Sequence, residues 1–174
     1  MLNQIKYFFI CLQFDLKNNK GNYKSLFVII FFRFASLFGK SYTKNKIIFI
    51  LGSPFWVSYR LIIDWLMGIE IPIHTRIGPG LIIHHGQGLV INSETIIGKN
   101  CLLRHNTTIG CKVENNKPGK SPIIKDNVDI GSNSVILGEI VIGSNSNIGA
   151  GSVVTKNVKK NTIVAGNPAK VINK

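Results

Sequence analysis

The chain has 174 residues, with 21 Lys and Arg against 8 Asp and Glu, and so a formal net charge of +13. Hydrophobic residues make up 45% and charged ones 17%, which excludes a disordered polybasic tail, because such chains are poor in apolar residues. Eight scattered acids also make a multi-carboxylate metal site hard to build, so the positive excess calls for an anionic partner: nucleic acid, a membrane surface or a phosphate-rich cofactor.

The N-terminal stretch has a short apolar run after Lys6, no small-residue cleavage site and an early Asp15, which argues against a signal peptide. Residues 1–70 carry most of the aromatics and read as two or three helices. Ser25 to Phe38 is apolar nearly all round and is expected to be buried or to face a membrane. A polar loop is expected from Gly39 to Lys46. Ile47 to Tyr59 is the longest uncharged apolar run, interrupted by Pro54 and shorter than the roughly 20 residues that span a bilayer. Residues 55–67 set Ser58, Arg60 and Asp64 among apolar positions, and Gly68 is a natural helix stop. The three cysteines, Cys11, Cys101 and Cys111, have no CxxC spacing and an odd number, which argues for a reducing, cytoplasmic setting.

Residues 71–174 hold most of the glycines and almost no aromatics. An aliphatic residue recurs every six positions at Ile124, Ile130, Ile136, Ile142, Ile148 and Val154. The same step appears at Ile71, Ile77, Ile83 and Leu89, and again at Ile97, Leu103 and Ile109. On this frame two extra residues fall between Leu89 and Ile97, and a loop at Lys112 to Pro122 breaks the repeat. Six residues supply one short strand and one tight turn, whose Gly, Asn, Ser and Asp suit left-handed backbone. Three such units close one coil of a triangular prism, and stacked coils bury a continuous aliphatic column. Ordinary buried strands would alternate with period two instead.

The units IGSNSV, IGSNSN and IGAGSV, with the segments IEIPIHTRIGPGLIIHHGQGLVINSET, CLLRHNTTIG and IGAGSVVTKNVKKNTIVAGNPAKVI, make the chain resemble the hexapeptide-repeat acyltransferases. Within them it is most similar to the serine acetyltransferase branch and its polysaccharide-modifying relatives. The resemblance implies a mainly β protein: a left-handed parallel β-helix over 71–174, with a loop at 111–122 and a C-terminal tail at 165–174. Residues 1–70 form a short helical N-terminal region ahead of it. It implies acetyl-CoA as co-substrate, no metal, and a homotrimer whose acyl-CoA groove lies between adjacent prisms.

Acyl transfer to a hydroxyl needs a base for its proton and a group that orients that base. The resemblance puts the catalytic imidazole on His85 and its carboxylate partner on Glu70, where relatives commonly have Asp. For His85 the plain alternative is a solvated turn residue. His105 lies twenty residues after His85, one coil plus the two inserted residues, so it is expected to stack above His85 and to line the acceptor site with His84 and Arg104. For the cofactor the resemblance carries over to Gly110 near the thioester, to Ser132, Ala150 and Thr155, and to Lys156 and Lys170, whose charges suit the CoA phosphates. A zinc hydratase reading is weak, because the four histidines lack a clear three-ligand set.

True serine acetyltransferases carry an Arg-His pair before the loop-ending Pro and an Asp before the catalytic His. Here those positions hold Lys120-Ser121 and His84. Both departures remove amino-acid-recognising groups, so the expected acceptor is a glycan hydroxyl of a capsule, an O-antigen or a precursor. Serine O-acetylation and a non-catalytic trimeric scaffold are the alternatives. Nucleic acid is not an expected partner, since no such motif is visible. Residues 1–70 have two candidate placements: packed on the N-terminal end of the prism and its neighbours, or peripheral on the inner membrane surface.

Overall fold

A two- or three-residue strand followed by a corner cannot bury its aliphatic side chain alone, so each coil must stack on the next. The computed structural model, which describes residues 2–41, 46–114 and 117–172, is such a stack. The first face pairs β1 (Ile69–Glu70), β4 (Leu89–Ile91), β7 (Thr108–Gly110), β12 (Val135–Leu137) and β15 (Val153–Val154), all parallel. The second pairs β2 (Arg76–Ile77), β5 (Ile96–Ile97), β10 (Ile123–Ile124) and β13 (Val141–Ile142). The third pairs β3 (Ile82–His84), β6 (Leu102–Arg104), β11 (Asp129–Ile130), β14 (Asn147–Ile148) and β16 (Ile163–Ala165). The tail turns back as β17 (Lys170–Val171), antiparallel to β16. The loop expected at 111–122 contains a small hairpin of β8 (Val113–Glu114) and β9 (Lys117–Pro118), and residues 115–116 lie outside the described residues.

Every aliphatic residue of the six-residue frame is buried. Ile77, Ile97, Ile124 and Ile142 form one column in direct register, and Ile109, Ile136 and Val154 form another. Each such side chain contributes about 1.5–3 kcal/mol by leaving water.

Two expectations need correction. The two inserted residues do not fall between Leu89 and Ile97. Glu70 pairs with Val90 and His84 with Arg104, both at an offset of twenty, whereas Val90 pairs with Thr108 at eighteen. The insertion therefore lies between His84 and Leu89, in the corner that carries His85. Leu89 and Ile91 are both buried, so either satisfies the period and pattern alone cannot choose between them. The polar loop from Gly39 is also shorter than expected. Helix α2 (Tyr23–Ser41) continues through Gly39, α3 begins at Lys46, and residues 42–45 lie outside the described residues.

Helices α1 (Leu2–Asn18), α2 and α3 (Lys46–Tyr59), the last running into a π-helical segment at Arg60–Leu66, pack on the first coil. An open coil end leaves backbone groups without partners, which costs free energy if they are covered by apolar helices. Here polar side chains of α1, α2 and the turn between them serve as those partners. Fully buried Asp15 pairs with Arg33 at 2.8 Å and accepts the N–H groups of Gly80 and Leu81. Arg33 donates to the carbonyls of Ile77 and Gly78. Asn19 donates to the carbonyl of Leu81, and Ser25 Oγ accepts the N–H of Ile83. Among the described residues no helix is long and apolar enough to cross a membrane.

Candidate active site

The corner between the third and first faces is where most of the chemistry-bearing residues converge. Register aligns Ile83 with Leu103, so His85 sits beside His105, and the two rings meet edge to face with centroids 5.8 Å apart. The N–H of Asn133 donates to the carbonyl of His105, and that of Gly151 to the carbonyl of Ser132. The same corner column therefore runs His85, His105, Ser132, Ala150, one residue per coil. Four residues expected at the site from separate segments are thus brought into one line. The neighbouring column is His84, Arg104, Gly131, Gly149. A Cβ on Gly131 would strike the backbone of Ala150, so this stretch of wall is close-packed.

His85 has φ 68°, and the six other non-glycine residues with left-handed backbone among the described residues are all Asn. Asn and His reach this region more readily than most side chains, at a cost of about 1–3 kcal/mol for a residue other than Gly. The inserted residues allow it: Gly86 follows with φ 70°, and a Cβ there would lie 2.9 Å from both Ile69 Cδ1 and Ile83 Cγ2. His85 is consequently held out on an exposed bulge of the corner. His105 is half-buried, and its Nδ1 is buried with no hydrogen-bond partner in the structure.

Glu70 lies on β1, which the same corner crosses: Gly88 N–H donates to the Gly68 carbonyl at 2.8 Å. Glu70 and His85 border one corner but are not joined by an ion pair or a hydrogen bond here. Glu70 also borders a cleft of about 480 Å³ between the π-helical segment and the first coil, lined by Trp56, Tyr59, Arg60, Asp64, His74 and Ser93. This cleft was not read from the sequence. The polar Arg60 and Asp64 inside an aromatic stretch were its only visible signal, and they face each other at 3.7 Å. Burial raises the pKa of Tyr59, whose hydroxyl donates to the Ile71 carbonyl and stays a donor.

Arg104 is not a free guanidinium. It is bound to Asp129 through both carboxylate oxygens and donates to the Ile130 carbonyl at 3.0 Å. Asp129 was missed because the interrupting loop places it twenty-five residues away, off the coil period. Its salt bridge neutralises a residue expected to contact the acceptor. His84 is exposed in the adjacent register.

Among the cofactor candidates, Ser132 and Ala150 lie where the chain enters the first face. Gly110 and Thr155 flank Leu137 where it leaves that face, because Gly110 pairs with Leu137 and Ile136 with Val154. The exposed Lys156 follows directly. Lys170 is exposed on β17, opposite Ala165, and the tail is tied to the first face by Ala169 N–H donating to the Val153 carbonyl. The Lys120 and Ser121 positions are engaged elsewhere: Lys120 with Glu139 at 2.6 Å, Ser121 Oγ with Asn92 Oδ1 at 2.9 Å. Burial pushes the Cys101 thiol up to about 11, so it is not a nucleophile near neutral pH. Among the described residues, no three His, Cys, Asp or Glu side chains are grouped to share a metal ion.

Comparison with known proteins agrees with the coiled architecture. Residues 121–156 match the family profile "Bacterial transferase hexapeptide (six repeats)". The Escherichia coli strain K12 protein named "Putative colanic acid biosynthesis acetyltransferase WcaB" is 35% identical over 157 residues, 90% of this chain and 96% of that protein. A serine acetyltransferase of Synechococcus elongatus is 41% identical over 108 residues, covering 62% of this chain and 43% of that protein. Among solved structures, the Neisseria gonorrhoeae serine acetyltransferase in complex with serine superposes with a TM-score of 0.78 at 29% identity, over 97% of this chain and 70% of that one.

Proposed function

The chain belongs to the hexapeptide-repeat acetyltransferases, with their left-handed β-helix, and from that premise we propose that it moves an acetyl group from acetyl-CoA to a sugar hydroxyl of a cell-surface polysaccharide or its precursor. The observation that carries the reading is the single corner column of His85, His105, Ser132 and Ala150. It sets a base at one end of a wall of small residues along which a pantetheine arm can lie.

In this reading His85 takes the proton of the acceptor hydroxyl as its oxygen bonds to the thioester carbonyl carbon. The imidazolium then returns that proton to the departing thiolate, so no covalent enzyme intermediate is needed. Glu70 favours the imidazolium by its charge, and half-buried His105, its ring edge to face with His85, lines the acceptor side of the base. Gly110 and Thr155 border the thioester end, and Lys156 and Lys170 meet the phosphates of CoA. The site is shared between subunits of a homotrimer. A glycan enters by the cleft beside Glu70, where half-buried Trp56 offers aromatic surface and Arg60, Asp64 and His74 offer hydrogen-bonding groups.

The relative that the chain spans almost end to end is named for colanic acid biosynthesis, which favours a glycan over free serine. So does the engagement of Lys120 and Ser121 with Glu139 and Asn92. The test is CoA release from acetyl-CoA with L-serine in one arm and polysaccharide repeat units in the other. Turnover confined to the glycan arm is expected. Fast turnover on serine alone would assign the serine acetyltransferase reading, and none on either would favour a scaffold.

A further inference from the structure

The outer side of α3 and the π-helical segment is not explained by the coil or by catalysis. Its inner side meets α2 and the first coil, with Tyr59 and Ile63 fully buried. Its outer side exposes Ile50 at 66%, Leu51 at 72%, Phe55 at 46%, Leu61 at 52%, Trp65 at 75% and Leu66 at 81%. At helical spacing these fall on one side of a cylinder twenty-one residues long, about 30 Å at 1.5 Å per residue. A soluble surface rarely leaves so much contiguous apolar area in water.

The charge of the helical region selects the stripe's occupant. Residues 1–68 carry two acids, Asp15 and Asp64. Asp15 is fully buried against Arg33, and Asp64 faces Arg60. Lys6, Lys17, Lys20 and Lys24 are exposed on α1, α2 and the turn between them. The described surface of the helical region therefore combines an apolar stripe with almost unopposed positive charge, the pairing that seats amphipathic helices in an anionic bilayer interface. A second copy of the helical region would bring the same positive excess and no acids to offset it. We propose that α3 and the π-helical segment lie in the headgroup region of an anionic membrane, with Trp65 and Leu66 inserted. The long axis of the segment lies parallel to the bilayer, since no described helix can span one.

The test uses the full chain, vesicles of phosphatidylcholine with or without 30% phosphatidylglycerol, and flotation at low and high salt. Co-flotation with the anionic vesicles at low salt, weakened by high salt, is expected. The two tryptophans report insertion through a blue shift of emission, which Trp65→Phe should abolish. The triple variant Leu51→Ser, Leu61→Ser, Trp65→Ser alters only exposed side chains, and its vesicle partitioning should fall at least tenfold with unchanged thermal unfolding. Flotation unaffected by the triple change, or no flotation of the parent, would overturn the proposal. So would a stripe that is silent towards vesicles but whose loss reduces the oligomer size, because its occupant would then be another copy.

Discussion

At the scale of single residues, His85 shows how a solenoid makes room for a reactive group. Corners elsewhere use Asn in the left-handed region, at Asn100, Asn106, Asn127, Asn133, Asn145 and Asn161. This suggests a replacement that separates chemistry from folding. His85→Asn keeps a residue suited to that backbone and removes the base. Its kcat is expected to fall by about 10²–10⁴-fold while the unfolding temperature holds or rises slightly. Steady-state kinetics beside a thermal melt reads both, and activity surviving in the variant would move the base to His105. The other imidazole was legible as a neighbour from spacing alone, because both the inserted residues and the stacked coil enter the offset between them. The Arg104–Asp129 pair was not legible, since the loop at 111–122 has no periodicity from which its length in coil units could be read.

At the scale of elements, the N-terminal helices act as a lid on the first coil. Their polar side chains look like solvated ones in sequence, yet Asp15, Asn19 and Ser25 are buried and bonded to the coil backbone. No pattern in the helices reveals this, because the partners are main-chain groups some sixty residues away. Asp15→Ala would leave the Arg33 guanidinium buried without its counter-charge and strip acceptors from two N–H groups. The expected loss is about 3–5 kcal/mol, measured by urea unfolding. A change below 1 kcal/mol would mean that water enters freely beneath the helices. The strands show the opposite case. Their six-residue period was readable throughout, and only the insertion was misplaced, because Leu89 and Ile91 both present aliphatic side chains to the core.

At the scale of the whole molecule, the stacked coils share one further thread besides the aliphatic columns. At another corner Asn18 of α1 donates to Asn100, Asn100 to Asn127, Asn127 to Asn145 and Asn145 to Asn161, at 2.9–3.2 Å. Each coil touches mainly its neighbours, so stability is close to a sum of per-coil and interface terms. The two ends differ: the N-terminal one is fastened by helices, and the C-terminal one by a short antiparallel strand. Mechanical resistance is therefore graded along the axis. Held by its first residue and drawn from its last in an optical trap, a single chain should peel coil by coil from the C-terminal end. Each coil of eighteen residues would release about 60 Å of contour length in a sawtooth, and the helical lid would yield last and in one rupture.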